Sequence, residues 1–228
     1  MEGAEQRKTD FLRITEIFHS IQGESTWAGV PCTFIRLTGC PLRCVWCDTE
    51  YSFYGGERMG LDEIIARVEE IGTPVVQLTG GEPLIHRNAF RLADLLLERG
   101  YTVLVETSGA IDVSPLDSRV HKIMDLKCPG SGESHRNLWS NLEHLTERDE
   151  IKFVVKDRAD YEWARAVIHE HGLDERVRCG ELRALLFSPV WDEVELQDLA
   201  EWILEDRLPA RFQIQLHKAI WGADVPGV

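Results

Sequence analysis

Six short apolar runs, at 74–78, 101–105, 122–126, 151–155, 182–187 and 212–216, recur along this 228-residue chain, and helical patterns fill most of the gaps. Two further strand-like runs, 11–18 and 31–37, precede them. Asp62 reads as an N-cap for a helix with Ile64, Ile65, Val68 and Ile71 on one face. Asn88 likewise heads a stretch carrying Phe90, Leu92, Leu95 and Leu96 that stops at Gly100. Residues 161–171 and 194–204 repeat the amphipathic pattern, and 38–60 reads as a loop rich in Gly, Cys and Trp. Apolar strands alternating with helices fold as a parallel sheet covered by helices. Only the link 108–121 lacks a helical pattern. The expectation is therefore an α/β chain, a partial β/α barrel with some helices replaced by loops. Residues 1–10 read as a polar tail and 11–228 as one domain.

The composition narrows the partners. A formal charge of −14 argues against a broad nucleic-acid surface, which needs clustered Lys and Arg. No apolar run approaches the roughly 18 residues of a membrane span. The first ten residues lack the apolar core of a signal peptide. Three of the six cysteines are tightly grouped, unlike a secreted disulfide framework, so the expected compartment is the cytoplasm. Cys32, Cys128 and Cys179 read as structural, since a free cysteine behaves as a small hydrophobe.

Polar residues or glycine stand at the end of run after run: Thr79-Gly80-Gly81-Glu82, Glu106-Thr107-Ser108, Lys127, Lys156, Ser188 and His217. In β/α barrels the active site is built at the C-terminal ends of the strands. These ends are thus expected to share one face.

Cys40-Pro-Leu-Arg-Cys44-Val-Trp-Cys47 places three thiols within eight residues. Soft thiolates select zinc or iron–sulfur. A structural zinc site normally takes four protein ligands in two separated pairs. Here the nearest histidine after the loop is His86, and no second Cys-x-x-Cys exists. Three thiolates on a cubane leave one iron without a protein ligand, an open position where substrate can bind. The spacing favours iron–sulfur over zinc.

This Cys-x3-Cys-x2-Cys spacing resembles the signature of the radical S-adenosylmethionine superfamily, and Leu78-Thr79-Gly80-Gly81-Glu82-Pro83 looks like its glycine-rich motif. The resemblance implies a 4Fe–4S cluster on Cys40, Cys44 and Cys47. Its free iron would chelate S-adenosylmethionine, and reductive cleavage would yield a 5′-deoxyadenosyl radical. Ile21-Gln22-Gly23-Glu24, Phe34-Ile35-Arg36 and Cys47-Asp48-Thr49 together resemble the 7-carboxy-7-deazaguanine synthase family, from about Ile14 to the C-terminus. That family rearranges 6-carboxytetrahydropterin to 7-carboxy-7-deazaguanine, with loss of ammonia, on the route to queuosine.

Carried over to this sequence, the resemblance implies that Ile21, Gln22, Gly23 and Glu24 form a substrate segment and that Arg36 meets the substrate carboxylate. Thr49 is the implied Mg2+ ligand, Thr79 and His217 the implied substrate contacts, and Gly81 a cofactor contact. Asp125-Leu126-Lys127 stands where many members carry Ser-Pro-Lys, and Phe187-Ser188-Pro189-Val190 corresponds to a second cofactor segment. Ser25 stands where members often have glycine. Residues 221–228 are expected to close the pocket. The resemblance also implies a homodimer and a flavodoxin-like electron donor. Two other readings compete: a glycyl-radical activating enzyme of the same superfamily, and a zinc-binding interaction module.

Overall fold

The structure, a computed structural model, describes residues 10–223 and 225–228. The tail expected at 1–10 thus lies outside the described residues except for Asp10. Among the described residues, nine strands form one sheet: β1 (Phe11–Ile21), β2 (Pro31–Leu37), β3 (Glu57–Gly60), β4 (Val75–Gly80), β5 (Thr102–Thr107), β6 (His121–Asp125), β7 (Glu150–Val155), β8 (Ala184–Pro189) and β9 (Ala210–Phe212). Their order is β3-β1-β2-β4-β5-β6-β7-β8-β9, so the sheet curls without closing. The run β2-β4-β5-β6-β7-β8-β9 is parallel throughout, while β1 pairs antiparallel with both β2 and β3.

Helices cover the outside. Helix α1 (Leu61–Ile71) buries Leu61, Ile64, Ile65 and Val68, and α2 (Arg87–Glu98) buries Ala89, Leu92, Ala93 and Leu96. Beyond β7 come α3 (Arg158–Glu170) and the short α4 (Leu173–Arg178); α5 (Leu196–Asp206) links β8 to β9. Asp157 caps α3 by accepting from Asp160 N at 3.0 Å. The expected caps Asp62 and Asn88 instead sit in the first turns of their helices, behind Gly60 and His86.

Three other expectations are corrected. Among the described residues, two links between parallel strands lack an α-helix, not one: residues 108–120, and 126–149, where only short 3-10 turns occur. The run 212–216 divides, because β9 ends at Phe212 and α6 (Leu216–Trp221) begins. Strand β3 forms within the expected loop 38–60 by pairing with β1, a long-range contact that local propensity does not encode.

Alternation along each strand sorts its side chains. Ile35, Leu37, Val76, Leu78, Val103 and Val105 point to the α1–α2 layer. Met124, Leu126, Ile151, Phe153, Leu185 and Phe187 pack with the α3–α5 layer. The intervening residues face the lumen. Its lower part is an apolar cluster of Cys32, Phe34, Val75, Leu104 and Ile123 with Trp27 against it.

Candidate active site

Two residues further along the same strands, the lumen turns polar: Arg36 on β2, Gln77 and Thr79 on β4, Glu106 on β5, Asp125 on β6 and Lys152 on β7. They line an open cleft of about 990 Å³ together with Cys40, Cys44 and Cys47. The shared face expected from the strand ends is real, although Ser188 spends its hydroxyl as acceptor for Gln213 Nε2 at 3.0 Å.

The cysteine loop is braced from several sides. Gly39 N donates to Ser52 O at 2.8 Å, Glu82 N to Gly39 O at 2.9 Å, and Val45 N to Ser131 O at 3.1 Å. Arg43 donates through Nη1 to Cys40 O at 2.8 Å, its guanidinium 4.2 Å from the Phe53 ring centroid. A Cβ on Gly81 would fall 2.5 Å from Gly39 O and 2.6 Å from Cys40 Cβ. The glycine there is therefore already required by the cysteine loop packed on it. Glu82, fully buried, accepts from Leu84 N, Thr107 Oγ1, Ser108 N and Ser108 Oγ. Burial pushes its carboxyl above the usual range although those donors pull it back. It ties the end of β4 to the end of β5 beneath the loop.

The donor set fits a cubane. All three thiols are partly buried on one loop and open to the same cleft. Burial pushes Cys44 up to about 11 and raises Cys40, and binding a metal as thiolates releases a proton from each. Among the described residues no three His, Cys, Asp or Glu side chains converge as they would on a single ion. A cubane binds each thiolate through a different iron and needs no such convergence. Thr49 Oγ1 lies 3.8 Å from Cys47 Sγ on the same loop.

The segment following β1 descends into the lumen. Gln22 Nε2 donates to Gln77 Oε1, Ser25 N to Gln213 Oε1 at 2.8 Å and Thr26 N to Glu150 Oε2 at 3.0 Å. Trp27 then meets His121 edge-on, 5.1 Å between centroids. Ser25 takes the left-handed conformation, φ 66°, in which glycine is at ease, and its Oγ accepts from Trp27 N at 3.1 Å. A Cβ on Gly23 would strike the His217 imidazole, which occupies that space.

Lys152 organises the charges. Its ammonium, 5% exposed, pairs with Glu24 Oε2 at 2.6 Å and with Glu106, and stands 4.0 Å from Asp125. Burial would lower the Lys152 pKa, but the two glutamates raise it well above the usual value; Glu106, penalised by burial, is held down by Lys152. Lys127 Nζ pairs with Asp125 Oδ2 at 2.7 Å, while Asp125 Oδ1 is buried with no hydrogen-bond partner among the described residues. That unsatisfied acceptor belongs to a residue that lines a ligand-sized cleft. Arg36 is held through Nε by Glu16 at 2.6 Å and flanked by Phe18 and Tyr51.

Of the residues singled out in the sequence, the cleft gathers Ile21, Gln22, Gly23, Glu24, Arg36, Cys40, Cys44, Cys47, Thr49, Thr79, Gly81, Asp125, Lys127, Val190 and His217. Leu126 and Phe187 lie in the outer core, and neither Ser188 nor Pro189 lines the cleft. Lys152, Gln77 and Lys218 were not foreseen. A charge or amide inside an otherwise apolar strand was the available signal for the first two.

A model of the radical SAM superfamily matches residues 34–175. The chain is 45% identical over 231 residues to a 7-carboxy-7-deazaguanine synthase of Koribacter versatilis, covering 95% of this chain and 100% of the relative. It is 46% identical over 220 residues to one of Chlorobaculum tepidum, covering 95% and 97%. The crystal structure of QueE from Escherichia coli superposes with a TM-score of 0.75 at 26% identity, covering 95% of this chain and 99% of that one. The glycine-supported cysteine loop, the open cleft above the strand ends and these likenesses agree: the chain belongs to the radical SAM superfamily and, within it, to the 7-carboxy-7-deazaguanine synthase family.

Proposed function

We propose that this chain converts 6-carboxytetrahydropterin to 7-carboxy-7-deazaguanine with loss of ammonia. The single observation that carries the reading is one cleft holding the three-cysteine loop, Arg36, Thr49 and the Gln22–Glu24 segment together. When bound, the 4Fe–4S cluster and S-adenosylmethionine supply the radical that starts the rearrangement.

The chain's own residues bind and orient. Glu16 takes the Arg36 Nε–H and fixes the guanidinium plane, whose remaining donors meet the substrate carboxylate. Glu24 and Glu106, paired with Lys152, offer acceptors to the donor edge of an aminopyrimidinone ring. Thr79 and His217 complete the substrate walls. Gly81, Asp125, Lys127 and Val190 line the cofactor side, where Asp125 Oδ1 awaits a donor such as a ribose hydroxyl. Leu126 and the segment Phe187-Ser188-Pro189 are buried outside the cleft lining and stand behind its cofactor side. Thr49 supplies Mg2+ with one oxygen, the others coming from substrate and water. Val225, Pro226, Gly227 and Val228 reach the cleft wall and would cover bound substrate; Asp224 lies outside the described residues.

We further infer a cytoplasmic homodimer reduced by a flavodoxin-like donor. Exposed Ile220 and Trp221 are apolar surface for the dimer contact. None of the described helices is long and apolar enough to cross a membrane.

The test is product analysis of an anaerobic reaction with reconstituted protein, S-adenosylmethionine and 6-carboxytetrahydropterin, with and without Mg2+. The expected result is 7-carboxy-7-deazaguanine, formed faster with Mg2+. A fully loaded cluster that yields no such product sinks the reading.

A further inference from the structure

Four consecutive residues at the start of α6 grip two different parts of the cleft. Leu216 N donates to Gly23 O at 2.9 Å, and His217 fills the space that Gly23 leaves. Gln215 Nε2 bridges Glu24 Oε1 at 2.7 Å and Asp48 Oδ2 at 3.4 Å. Lys218, 8% exposed, places Nζ 2.7 Å from the same Asp48 oxygen. Asp48 sits between Cys47 and Thr49 on the cysteine loop.

A buried ammonium with one close carboxylate is a strong positional constraint, because Lys218 without Asp48 is left with an uncompensated charge, even though the Asp48 side chain itself is 40% exposed. Among the described residues, the backbone on either side of Asp48 is braced only from within the loop, Cys47 N donating to Cys44 O at 3.2 Å and Thr49 O accepting from Ser52 N at 2.9 Å, and Asp48 carries the ties outward, to Gln215 and Lys218. Residues 47–49 carry no regular structure, and Thr49 caps the following 3-10 turn without a side-chain hydrogen bond. The loop's other braces lie at Gly39, Arg43, Val45 and Ser52.

We propose that Lys218 is a positioning residue: through Asp48 it locks the Cys47–Thr49 end of the cysteine loop to the Gln22–Glu24 substrate segment, so that substrate and cofactor are held in one register. It borders the cleft, but its ammonium is engaged by the Asp48 carboxylate and it acts through that contact. The proposal rests on the reading of the cleft as the synthase site. Loosening the lock lets S-adenosylmethionine be cleaved while substrate is misplaced, because sub-ångström misplacement already lowers the productive fraction.

The test compares Lys218→Met and Lys218→Arg with the parent in cluster-loaded protein. Three quantities are read: iron content, amide hydrogen exchange across 47–54, and 5′-deoxyadenosine released per 7-carboxy-7-deazaguanine formed. Lys218→Met is expected to keep its iron, to lose about tenfold in exchange protection over 47–54, and to raise the deoxyadenosine-to-product ratio at least fivefold, each factor of ten being about 1.4 kcal/mol of lost restraint. Lys218→Arg should recover most of both. Asp48→Asn, which removes the same contact from the loop side, should match Lys218→Met and stands in if that variant fails to fold. Parent-like exchange and coupling in Lys218→Met, or an Arg variant as impaired as the Met variant, would overturn the proposal. If the parent itself makes no deazaguanine product, the synthase reading fails, and the exchange data still decide whether the lock exists.

Discussion

The lower and upper halves of the lumen are built by the same strands and differ by a shift of two residues. Phe34, Val75, Leu104 and Ile123 make the floor, and Arg36, Gln77, Glu106 and Asp125 the ceiling. The floor is apolar with Trp27 packed against it, whereas the ceiling is an open cleft crossed by buried ion pairs. A side-chain period of two lets one strand supply both, provided the lumen-facing series turns polar where the site begins. The floor thus bears stability and the ceiling bears chemistry. The segment 22–27 joins them, because Glu24 pairs with Lys152 in the ceiling while Thr26 and Trp27 close the floor.

The largest effect that would sharpen this contrast lies in the floor. Trp27→Ala should cost about 3 kcal/mol of stability, the low end for an aromatic truncation, because the half-buried ring packs against the floor cluster. Denaturant unfolding under anaerobic conditions would register it, and the folded fraction should keep its iron. Equal losses of stability and of iron would merge the two halves and break the comparison.

Glu106→Gln comes next, at about 1–3 kcal/mol, since it leaves the Lys152 ammonium with one carboxylate fewer. The Glu106 carboxyl is held down by Lys152 against burial. Its folded pKa therefore lies below the unfolded value of about 4.3. The stability it contributes is complete above that unfolded value and is lost as pH falls through the depressed folded one. The gap between parent and variant should be constant from about pH 5 to 8 and shrink only in stronger acid. Thermal unfolding across that range checks the sign, and a gap that grows in acid would contradict it.

The smallest effect tests the joint between the halves. Ser25→Gly should change stability by less than about 1 kcal/mol, in the favourable direction, because the position already sits in the left-handed region at φ 66°. A destabilised variant would show that the Ser25 Oγ hydrogen bond to Trp27 N outweighs the backbone preference.

Much of this molecule was legible in the sequence. Apolar runs located β4 to β8 within a few residues, and the cysteine spacing together with Gly80-Gly81-Glu82 located the cluster loop and its support. What stayed hidden is non-local. Strand β3 forms only because β1 has a free edge, and the 3-10 links in 126–149 carry no periodicity of their own. Gly81 suggested close approach of a ligand, whereas the group pressed on it is the cysteine loop itself. Lys152 and Lys218 escaped because a lysine's burial depends on carboxylates that are remote in sequence, Glu24 and Asp48 respectively.

The central claim is that Cys40, Cys44 and Cys47 alone hold a 4Fe–4S cluster whose fourth iron is open to S-adenosylmethionine. Electron paramagnetic resonance of the anaerobically reconstituted, reduced protein tests it most directly. The account predicts about four irons per chain and a cluster signal that shifts when S-adenosylmethionine is added. Stoichiometric zinc without a brown chromophore, or a cluster signal indifferent to S-adenosylmethionine, would contradict it.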